Sequence, residues 1–205
     1  MKKPKKLFYT IIMMVFIFTS SCNQKKDSEW IPIFNGKDLT GWSPKFTGEA
    51  YRINYLNTFQ AKDGKLIVSY DDYDNFDNNF GHIFYKEKLS HYKLRLAYRF
   101  LGESVPGSPD WAFKKHCTNS NYPAINDSSW VKMEIEVQGS EKIIHKINGQ
   151  VVMQYSKPQY DDTDEFAREL MKNGYPKIIS EGYIALQAEG HPIEFKNIEL
   201  MKINK

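Results

Sequence analysis

The chain has 205 residues, a length that a single β-rich domain can use almost entirely. Its composition is that of an ordinary globular protein, with 41% hydrophobic, 26% charged and 15% aromatic residues. The formal net charge is +3, but four of the 28 basic residues lie within residues 1–22; the other 24 stand against 25 acidic residues, which leaves a net charge of −1. This balance excludes the broad basic face that nucleic-acid-binding proteins carry.

Residues 1–22 have the pattern of a secretory signal, with lysines at the start and an apolar run at 7–18 that is too short to span a bilayer comfortably. Cys22 follows Thr19-Ser20-Ser21, so small residues precede a cysteine as in a bacterial lipobox, although Thr19 stands where leucine is usual. We therefore predict lipidation of Cys22 and a lipid-anchored protein of the bacterial cell envelope. The outer membrane is favoured because Asn23, rather than aspartate, follows the cysteine. Ordinary signal cleavage with a free Cys22 is the alternative.

The segment after the leader divides into a short tether and one domain. Residues 23–29 are polar, and we interpret them as the tether of a single domain at 30–203. Cys117 is the only cysteine besides Cys22, so the domain is predicted to have no disulfide and to depend on its core. One cysteine among scattered histidines has no zinc-like spacing, and no metal site is predicted from them.

Turn signals divide the first part of the domain into short strands. Asn35-Gly36 marks an early turn, and Lys62-Asp63-Gly64 separates strands predicted at Phe59–Ala61 and Lys65–Tyr70. The acidic, asparagine-rich loop at 71–79 follows. Its oxygen atoms could ligate calcium, but their spacing does not match an EF-hand, so a solvated loop is the favoured interpretation and the sequence requires no cofactor.

Alternation of apolar and polar residues predicts the other strands. They are expected at Gly81–Leu89, His91–Leu101, Trp130–Gln138, Ile143–Ile147, Gln150–Tyr155, Tyr183–Glu189 and Ile193–Ile203. Asn148-Gly149 is the strongest hairpin signal in the chain. One helix is predicted at Asp162–Asn173, where it would cover the sandwich, and Trp42 and Trp130 are expected in the core. Many short strands with hairpin turns and a single short helix indicate an all-β antiparallel sandwich.

Several segments of the domain form a recognisable set. They are 30–42 (WIPIFNGKDLTGW), 81–88 (GHIFYKEK), 91–100 (HYKLRLAYRF), 111–113 (WAF), 181–195 (EGYIALQAEGHPIEF) and 197–200 (NIEL). Together they resemble the 3-keto-disaccharide hydrolase family, from about Trp30 to Leu200, and the opening and closing motifs are specific as a pair. The resemblance implies a concanavalin A-like jelly-roll β-sandwich and an exported bacterial protein. It also implies a carbohydrate ligand, and action on glycosides whose sugar carries a 3-keto group.

One part of the family pattern is absent. After Phe113 the family continues through an Asn-Ser-Gly stretch and a strand with a Glu-Val-Gln motif, whereas here Lys114-Lys115 leads directly into His116. The Glu136-Val137-Gln138 of this chain is a different strand, because the residues that follow it match the family's later hairpin. The central segment after Phe113 is therefore predicted to be missing, and any carboxylate that the lost strand carried would be missing with it.

The chemistry of a 3-keto sugar suggests the candidate site residues. The carbonyl acidifies the C2 proton, so a base could remove it and expel the glycosidic oxygen, with a cation, a metal or a donor stabilising the enolate. Direct hydrolysis between two carboxylates is the alternative. The candidate catalytic residues are His82, His116, His191 and, as stabiliser, Arg99. The candidate substrate-binding residues are Trp111, which could stack on a sugar, and Arg95, Glu136, Gln187 and Glu189.

Three polar groups would line one groove if their strands are neighbours. The groups are Arg95 with Arg99, Glu134 with Glu136, and Tyr183 with Gln187 and Glu189. The plainer interpretations are that the glutamates are solvent-facing strand residues and that His82 satisfies only backbone groups. Three functions stay open: an enzyme acting on keto-glycosides, a carbohydrate-binding lipoprotein without catalysis, and a poorly folding copy with an unpaired strand edge.

Overall fold

The computed structural model describes residues 29–103, 105–106, 120, 122–123, 125 and 128–204. The strands are β1 (Ile31–Pro32), β2 (Trp42–Phe46), β3 (Phe59–Lys62), β4 (Lys65–Val68), β5 (Gly81–Leu89), β6 (His91–Phe100), β7 (Val131–Gln138), β8 (Lys142–Ile147), β9 (Gln150–Tyr155), β10 (Gly182–Ala188) and β11 (Ile193–Lys202). A helix, α1, spans Glu165–Lys172, and a 3-10 turn spans Tyr55–Asn57. No helix within this part of the chain is long and apolar enough to cross a membrane.

The strands form two antiparallel sheets. The large sheet has the order β3-β4-β11-β6-β7-β8-β9, with β1 also paired to β11, and the small sheet has the order β10-β5-β2. Every strand pair is antiparallel. The prediction of an all-β antiparallel sandwich is thus confirmed, and the predicted strands lie within a few residues of the observed ones.

The core lies between the two sheets and follows the two-residue period of the strands. Leu94 and Leu96 of β6 point inward from the large sheet, and Ile83 and Tyr85 of β5 point inward from the small one. Trp42 is buried as predicted, and its indole N–H donates to the carbonyl of Ile33 at 2.8 Å. Large apolar side chains therefore hold the sheets together, and the residues between them in sequence are left on the outer faces.

Trp130 is not in the core. It is half-buried on the outer face of the large sheet, where the Arg99 guanidinium lies 4.7 Å and the Lys196 ammonium 3.7 Å from its ring centroid. Cationic side chains can cover a tryptophan ring on the surface of a sheet, so a large aromatic residue does not have to lie in the core.

The helix is shorter than predicted and contributes little to the core. Asp164 caps its N-terminus by accepting a hydrogen bond from the Ala167 N–H at 2.8 Å. Ala167 is the one helical residue that is buried, whereas the neighbouring Phe166 is 77% exposed. Most of the helix surface therefore faces away from the sandwich.

The two sheets differ greatly in width. Among the residues that the structure describes, β10 and β2 have β5 as their only partner strand, so each is an edge of the small sheet. The large sheet, in contrast, continues from β6 through β7, β8 and β9. An open edge at β10 agrees with the sequence-based prediction of a missing central segment, because a lost strand would leave its neighbour unpaired.

Candidate functional site

A row of polar side chains crosses the outer face of the small sheet. His82 of β5 stands opposite Gln187 of β10 on one side and Lys45 of β2 on the other. Gly81 and Ile83 are buried, so the strand alternation directs His82 outward. The fold thus places an imidazole, an amide and an ammonium on three adjacent strands.

Hydrogen bonds connect this row to Glu189, one residue beyond the end of β10. The Gln187 side-chain nitrogen lies 3.3 Å from His82 Nε2 and donates to Glu189 Oε1 at 3.0 Å. The amide can donate to His82 Nε2 only when this nitrogen carries no proton, as in the neutral tautomer that is protonated on Nδ1. Gln187 therefore holds a neutral histidine and a carboxylate close together.

His82 is poised to stay neutral. Burial lowers the pKa of its imidazole below 6.5, and the nearby Glu189 carboxylate offsets only part of this effect. The ring also stacks on Phe84, with their centroids 5.8 Å apart. A half-buried, neutral imidazole on a polar surface is a suitable general base at pH 7.

A cavity of about 420 Å³ opens beside this group at the edge of β10. It is lined by Tyr98, Phe100, Met133, Ala185, Leu186, Gln187, Glu189, His191, Ile193 and Phe195. His191 Nδ1 lies 3.1 Å from the Pro192 carbonyl, and its ring meets Phe100 edge-on at 4.9 Å. Apolar walls with a few convergent polar groups are typical of small-ligand sites.

The turn that carries Glu189 and His191 is fixed by a buried tyrosine. Gly190, with a φ of 92°, bends the chain between them, and its N–H donates to the Tyr70 hydroxyl at 2.6 Å. The Gly190 carbonyl accepts from the Val105 N–H at 2.8 Å. Burial raises the pKa of Tyr70 strongly, so its hydroxyl stays protonated and available to the turn.

Replacing Tyr70 by phenylalanine is expected to loosen this turn, because the buried Gly190 N–H loses its acceptor at a cost of about 1–3 kcal/mol. The His82 pKa should fall further below 6.5 as Glu189 is displaced, because this carboxylate no longer offsets part of the effect of burial. An NMR titration of the histidine ring protons measures this change. Tyr73→Phe is the matched control, since its hydroxyl bonds Thr58 rather than the turn. Equal histidine titrations in both variants would contradict the positioning role.

The arginines and Glu136 lie elsewhere. Arg95 and Arg99 are on β6 and Glu136 is on β7, which are neighbours in the large sheet, whereas Gln187 is in the small sheet. The expectation that all three polar groups line one groove is therefore wrong. Alternation predicted which residues face outward, but not which sheet each strand joins.

Ion pairs engage each of these side chains in the large sheet. Arg99 Nε lies 2.7 Å from Glu194 Oε2, and Arg95 Nε lies 2.6 Å from Glu199 Oε2. Lys93 Nζ lies 3.1 Å from Glu136 Oε2. Arg99 is thus paired with a buried carboxylate on the outer face of the large sheet. Because His82 lies in the small sheet, Arg99 is not placed to stabilise an enolate beside it.

The ionisation of Glu194 makes the stability of the folded protein depend on pH. Burial by itself would raise the pKa of this carboxyl, but the hydrogen bonds and charges of Lys65, 2.5 Å away, and Arg99 outweigh it and hold the pKa below its usual value. Because the folded pKa is depressed, the stabilisation is present above the unfolded pKa of about 4.3 and is lost as the pH falls through the folded pKa.

Glu194→Gln is therefore expected to lower the free energy of unfolding on the order of 3 kcal/mol at pH 7, since two cations lose a buried partner. The difference from wild type should shrink below about pH 4, in urea titrations at several pH values. Glu199→Gln is the control, because that side chain is 28% exposed and should cost under about 1 kcal/mol. A difference that stays constant down to pH 3 would refute the pH assignment.

The candidates Trp111 and His116, and the lipidation candidate Cys22, lie outside the described residues.

The sequence analysis did not identify Lys45 as a site residue. Pro44 is unusual in a strand, so the alternation of this short edge strand was not recognised. The Lys45 ammonium donates to the carbonyls of Phe46, at 2.7 Å, and Glu49. In the described part of the chain, no group of three or more metal-ligating side chains occurs, in the loop at 71–79 or elsewhere.

The fold recurs in solved structures. Two crystal structures of a candidate glycosyl hydrolase from Parabacteroides distasonis ATCC 8503 each give a TM-score of 0.53, at 15% and 17% identity, covering 85% of this chain and 94% and 100% of theirs. A Bacillus subtilis protein of unknown function with a galectin-like fold gives 0.51 at 10% identity, over 85% of this chain and 94% of that one. At these identities the likeness establishes the fold alone, and it confirms the concanavalin A-like jelly-roll sandwich.

Sequence comparison identifies the family. No curated protein sequence matches the chain. The profile of the 3-keto-alpha-glucoside-1,2-lyase-like domain matches residues 29–121 and 107–201, two segments that overlap around Phe113, where the sequence departs from the family pattern. Together the segments cover most of the chain, and the resemblance seen in its motifs is confirmed. The chain therefore belongs to the family of 3-keto-alpha-glucoside-1,2-lyase-like domains.

Proposed function

We propose that the protein cleaves 3-keto-glycosides by elimination, with His82 as the general base. The observation that carries this proposal is the neutral imidazole of His82, which Gln187 links to Glu189 beside an apolar-walled cavity. Its lowered pKa keeps the base unprotonated at neutral pH. A 3-keto sugar is the substrate that such a base can attack, because its carbonyl acidifies the adjacent carbon.

The proposed reaction begins with removal of the C2 proton. His82 Nε2 takes the proton, and the electrons of the C2–H bond pass to the C3 oxygen as an enolate. The carbonyl then re-forms, a C1=C2 double bond appears, and the bond from C1 to the glycosidic oxygen breaks. The leaving oxygen receives a proton, and water adds afterwards across the double bond to give the free 3-keto sugar. The long 3.3 Å contact to Gln187 is one that the substrate can displace.

Other residues of the site support this sequence of steps. His191 lines the cavity, and because its Nδ1–H donates to the Pro192 carbonyl, Nε2 of the neutral ring is an acceptor suited to a sugar hydroxyl. The proton that His82 takes from C2 is the one that the leaving oxygen receives. Lys45 is the cation that neighbours His82 in the sheet, and it replaces Arg99 as the proposed stabiliser of the enolate. Gln187 and Glu189 would bind sugar hydroxyls.

A carbohydrate-binding protein without catalysis is the second candidate, and two observations favour it. The predicted stabiliser Arg99 is held by Glu194 on the other sheet. The Lys45 ammonium is already occupied by two backbone carbonyls, and it would have to rearrange before it could meet an enolate.

Product release from a 3-keto-glucoside, beside the same glucoside without the keto group, separates the two functions. Full-length protein in detergent is incubated with each, and the freed alcohol is followed by NMR. Turnover of the keto compound alone supports the proposed reaction. Equal turnover of both compounds would instead indicate direct hydrolysis. Binding without turnover, in protein that unfolds cooperatively, would leave the binding function and reject the enzyme.

We further propose that Cys22 carries a lipid that anchors the protein at the cell envelope, as the small residues before it suggest. Cys22→Ser is expected to abolish incorporation of labelled palmitate and to move the protein from the membrane fraction to the soluble fraction. An unchanged label would instead place the lipid elsewhere, and a soluble wild type would support ordinary signal cleavage.

A further inference from the structure

A second groove lies on the outer face of the large sheet, away from the candidate site. Its volume is about 490 Å³, compared with about 420 Å³ for the cavity at the edge of β10. It is lined by Arg95, Leu96, Ala97, Lys132, Met133, Glu134, Lys146, Gly149, Asn197 and Glu199. Neither the family's closing motif residues Gln187 and Glu189 nor the histidines of the candidate site take part in it.

The groove forms because Ala97, a small residue, lies among long side chains on the outer face of the large sheet. Ala97 of β6 ends at its Cβ, whereas Arg95 and Arg99 extend from the same face of the same strand. Lys196 of β11 and Lys132 of β7 stand directly opposite Ala97 on its two neighbouring strands. Two strand spacings separate these lysines, about 9.6 Å between their Cα atoms. A cationic residue thus occupies each of the four positions that adjoin Ala97 on this face, and two of them, Arg95 and Lys132, line the groove.

A bulge directs a further polar group toward this floor. The pairing of β11 with β6 shifts register between Lys196 and Glu199, and Asn197 takes a φ of 53°. Such bulges re-aim a side chain relative to the regular pleat. Asn197 accordingly lines the groove and offers an amide donor and acceptor between Lys196 and Glu199.

The charges around the groove are unevenly matched. Arg95 is paired with Glu199 at 2.6 Å, and Lys146 with Glu134 at 2.6 Å. Among the residues that the structure describes, neither Lys132 nor Lys196 has a carboxylate within ion-pair distance, and the Lys196 ammonium instead lies over the Trp130 ring. Two lysines without a carboxylate partner thus flank Ala97: Lys132 lines the groove, and Lys196, whose ammonium rests on the Trp130 ring, adjoins it. An anion bound above Ala97 would be attracted by both charges.

We infer that this groove binds an acidic saccharide, with the carboxylate of one sugar ring above Ala97 between Lys132 and Lys196. The surrounding Glu134, Glu199 and Asn197 supply acceptors and an amide for the hydroxyl groups of the ring. Glu134 and Glu199, each held by a cation, offer acceptors that match the O–H donors of a sugar ring, whereas a phosphodiester group presents only acceptors to them. The site is independent of turnover, because it lies on the other sheet from His82.

Calorimetric titration of the full-length protein in detergent with trigalacturonate tests this inference, and maltotriose provides the uncharged probe. Binding of trigalacturonate is expected, and it should weaken as salt is raised because the contact is ionic. Lys132→Gln/Lys196→Gln should raise the Kd about tenfold or more, since two charge-assisted hydrogen bonds are lost. The control Lys62→Gln/Lys172→Gln removes the same charge from exposed lysines elsewhere and should leave the Kd unchanged.

Several results would overturn the inference. They are equal affinity for maltotriose, equal weakening by both double variants, and absence of trigalacturonate binding by the wild type. Sedimentation with phosphatidylglycerol vesicles, compared with phosphatidylcholine vesicles, distinguishes a membrane site: anchoring is common to all variants, so a specific loss of phosphatidylglycerol binding in the Lys132/Lys196 variant would indicate a lipid headgroup instead. Turnover of the 3-keto-glucoside by that variant should equal wild type, which separates failure here from failure of the proposed reaction.

Discussion

Replacing His82 by glutamine is expected to lower kcat/KM for a 3-keto-glucoside about 100-fold or more, because general-base catalysis contributes at least that much where the base removes a carbon-bound proton. Glutamine keeps a polar side chain of similar length beside Gln187 but cannot accept the proton. Binding should change little, so the loss should appear in kcat rather than in KM. Steady-state release of the alcohol by the wild type and the variant measures this difference.

The pH dependence gives His82 a second signature. Burial lowers its imidazole pKa below 6.5, so the active, neutral form should persist as the pH falls from 8 to 7. The wild-type kcat/KM should therefore decline only below about pH 6.5, the unperturbed histidine pKa. Residual activity of His82→Gln should lack this decline, because the group that titrates is gone. A decline that survives in the variant would assign it to another residue, and His191 would be the next to replace.

His145 provides the matched control for His82. It is also a half-buried strand histidine whose pKa burial lowers, but it lies on β8 of the large sheet, where Nε2 is 3.3 Å from the Tyr155 hydroxyl. His145→Gln should leave kcat/KM within about threefold of wild type, the range of ordinary surface or structural effects at ±0.5 kcal/mol. If both variants lose activity equally, the loss reflects damage to the fold, and His82 has no special role.

The sequence placed Gln187 on the polar face of its strand and identified His82 as a candidate base, but it did not predict that the two side chains meet. Alternation fixes which face of its own strand a residue occupies, since the side-chain period in a strand is two. It carries no information on which strands pair across long stretches of chain. β5 and β10 are separated by about ninety residues in sequence, and their pairing follows from how the whole sandwich closes. The same limit led to the expectation that Arg99 would share a groove with Gln187.

Trp130 and Lys45 show two further reasons why the structure differs from the predictions made from the sequence. Aromatic residues in a strand pattern usually indicate core, but Trp130 meets Arg99 and Lys196 above the outer face, a tertiary contact that no local pattern encodes. Lys45 follows a proline, which weakens any strand prediction, and the chain tolerates Pro44 because β2 is an edge strand. The family motifs, in contrast, predicted the fold well, because they record the core as well as the site.

Gly81→Ala is expected to produce the largest loss of stability in the small sheet. A Cβ at this position would lie 2.3 Å from Phe46 Cε1 and 2.7 Å from Cδ1, far inside van der Waals contact. Phe46 is only 1% exposed and packs against Phe59 at a centroid distance of 5.5 Å, so its ring has no free space to enter. Overpacking of this kind costs about 3 kcal/mol, which corresponds to a fall in Tm of about 6–12 °C.

The same substitution should also affect the site, because His82 follows Gly81 directly and any shift of β5 away from Phe46 moves the imidazole from Gln187. Gly182→Ala is the matched control: it is also a strand glycine of the small sheet, and an added Cβ would meet no atom within 4 Å. Its Tm should equal or slightly exceed that of wild type, since alanine reduces the freedom of the unfolded chain. Equal melting temperatures for the two variants would refute the steric argument.

A second substitution tests whether the clash with Phe46 is the cause. Phe46→Leu alone should destabilise the protein, because it removes buried aromatic surface and leaves space in the core. Combined with Gly81→Ala, however, the smaller side chain makes room for the new methyl group, so the double variant should be more stable than the two separate losses predict. Strict additivity, measured by urea unfolding, would mean that the alanine acts on the backbone of β5 and not on Phe46. Recovery of stability together with the His82 contact would show that the close packing of Gly81 on Phe46 positions the proposed base.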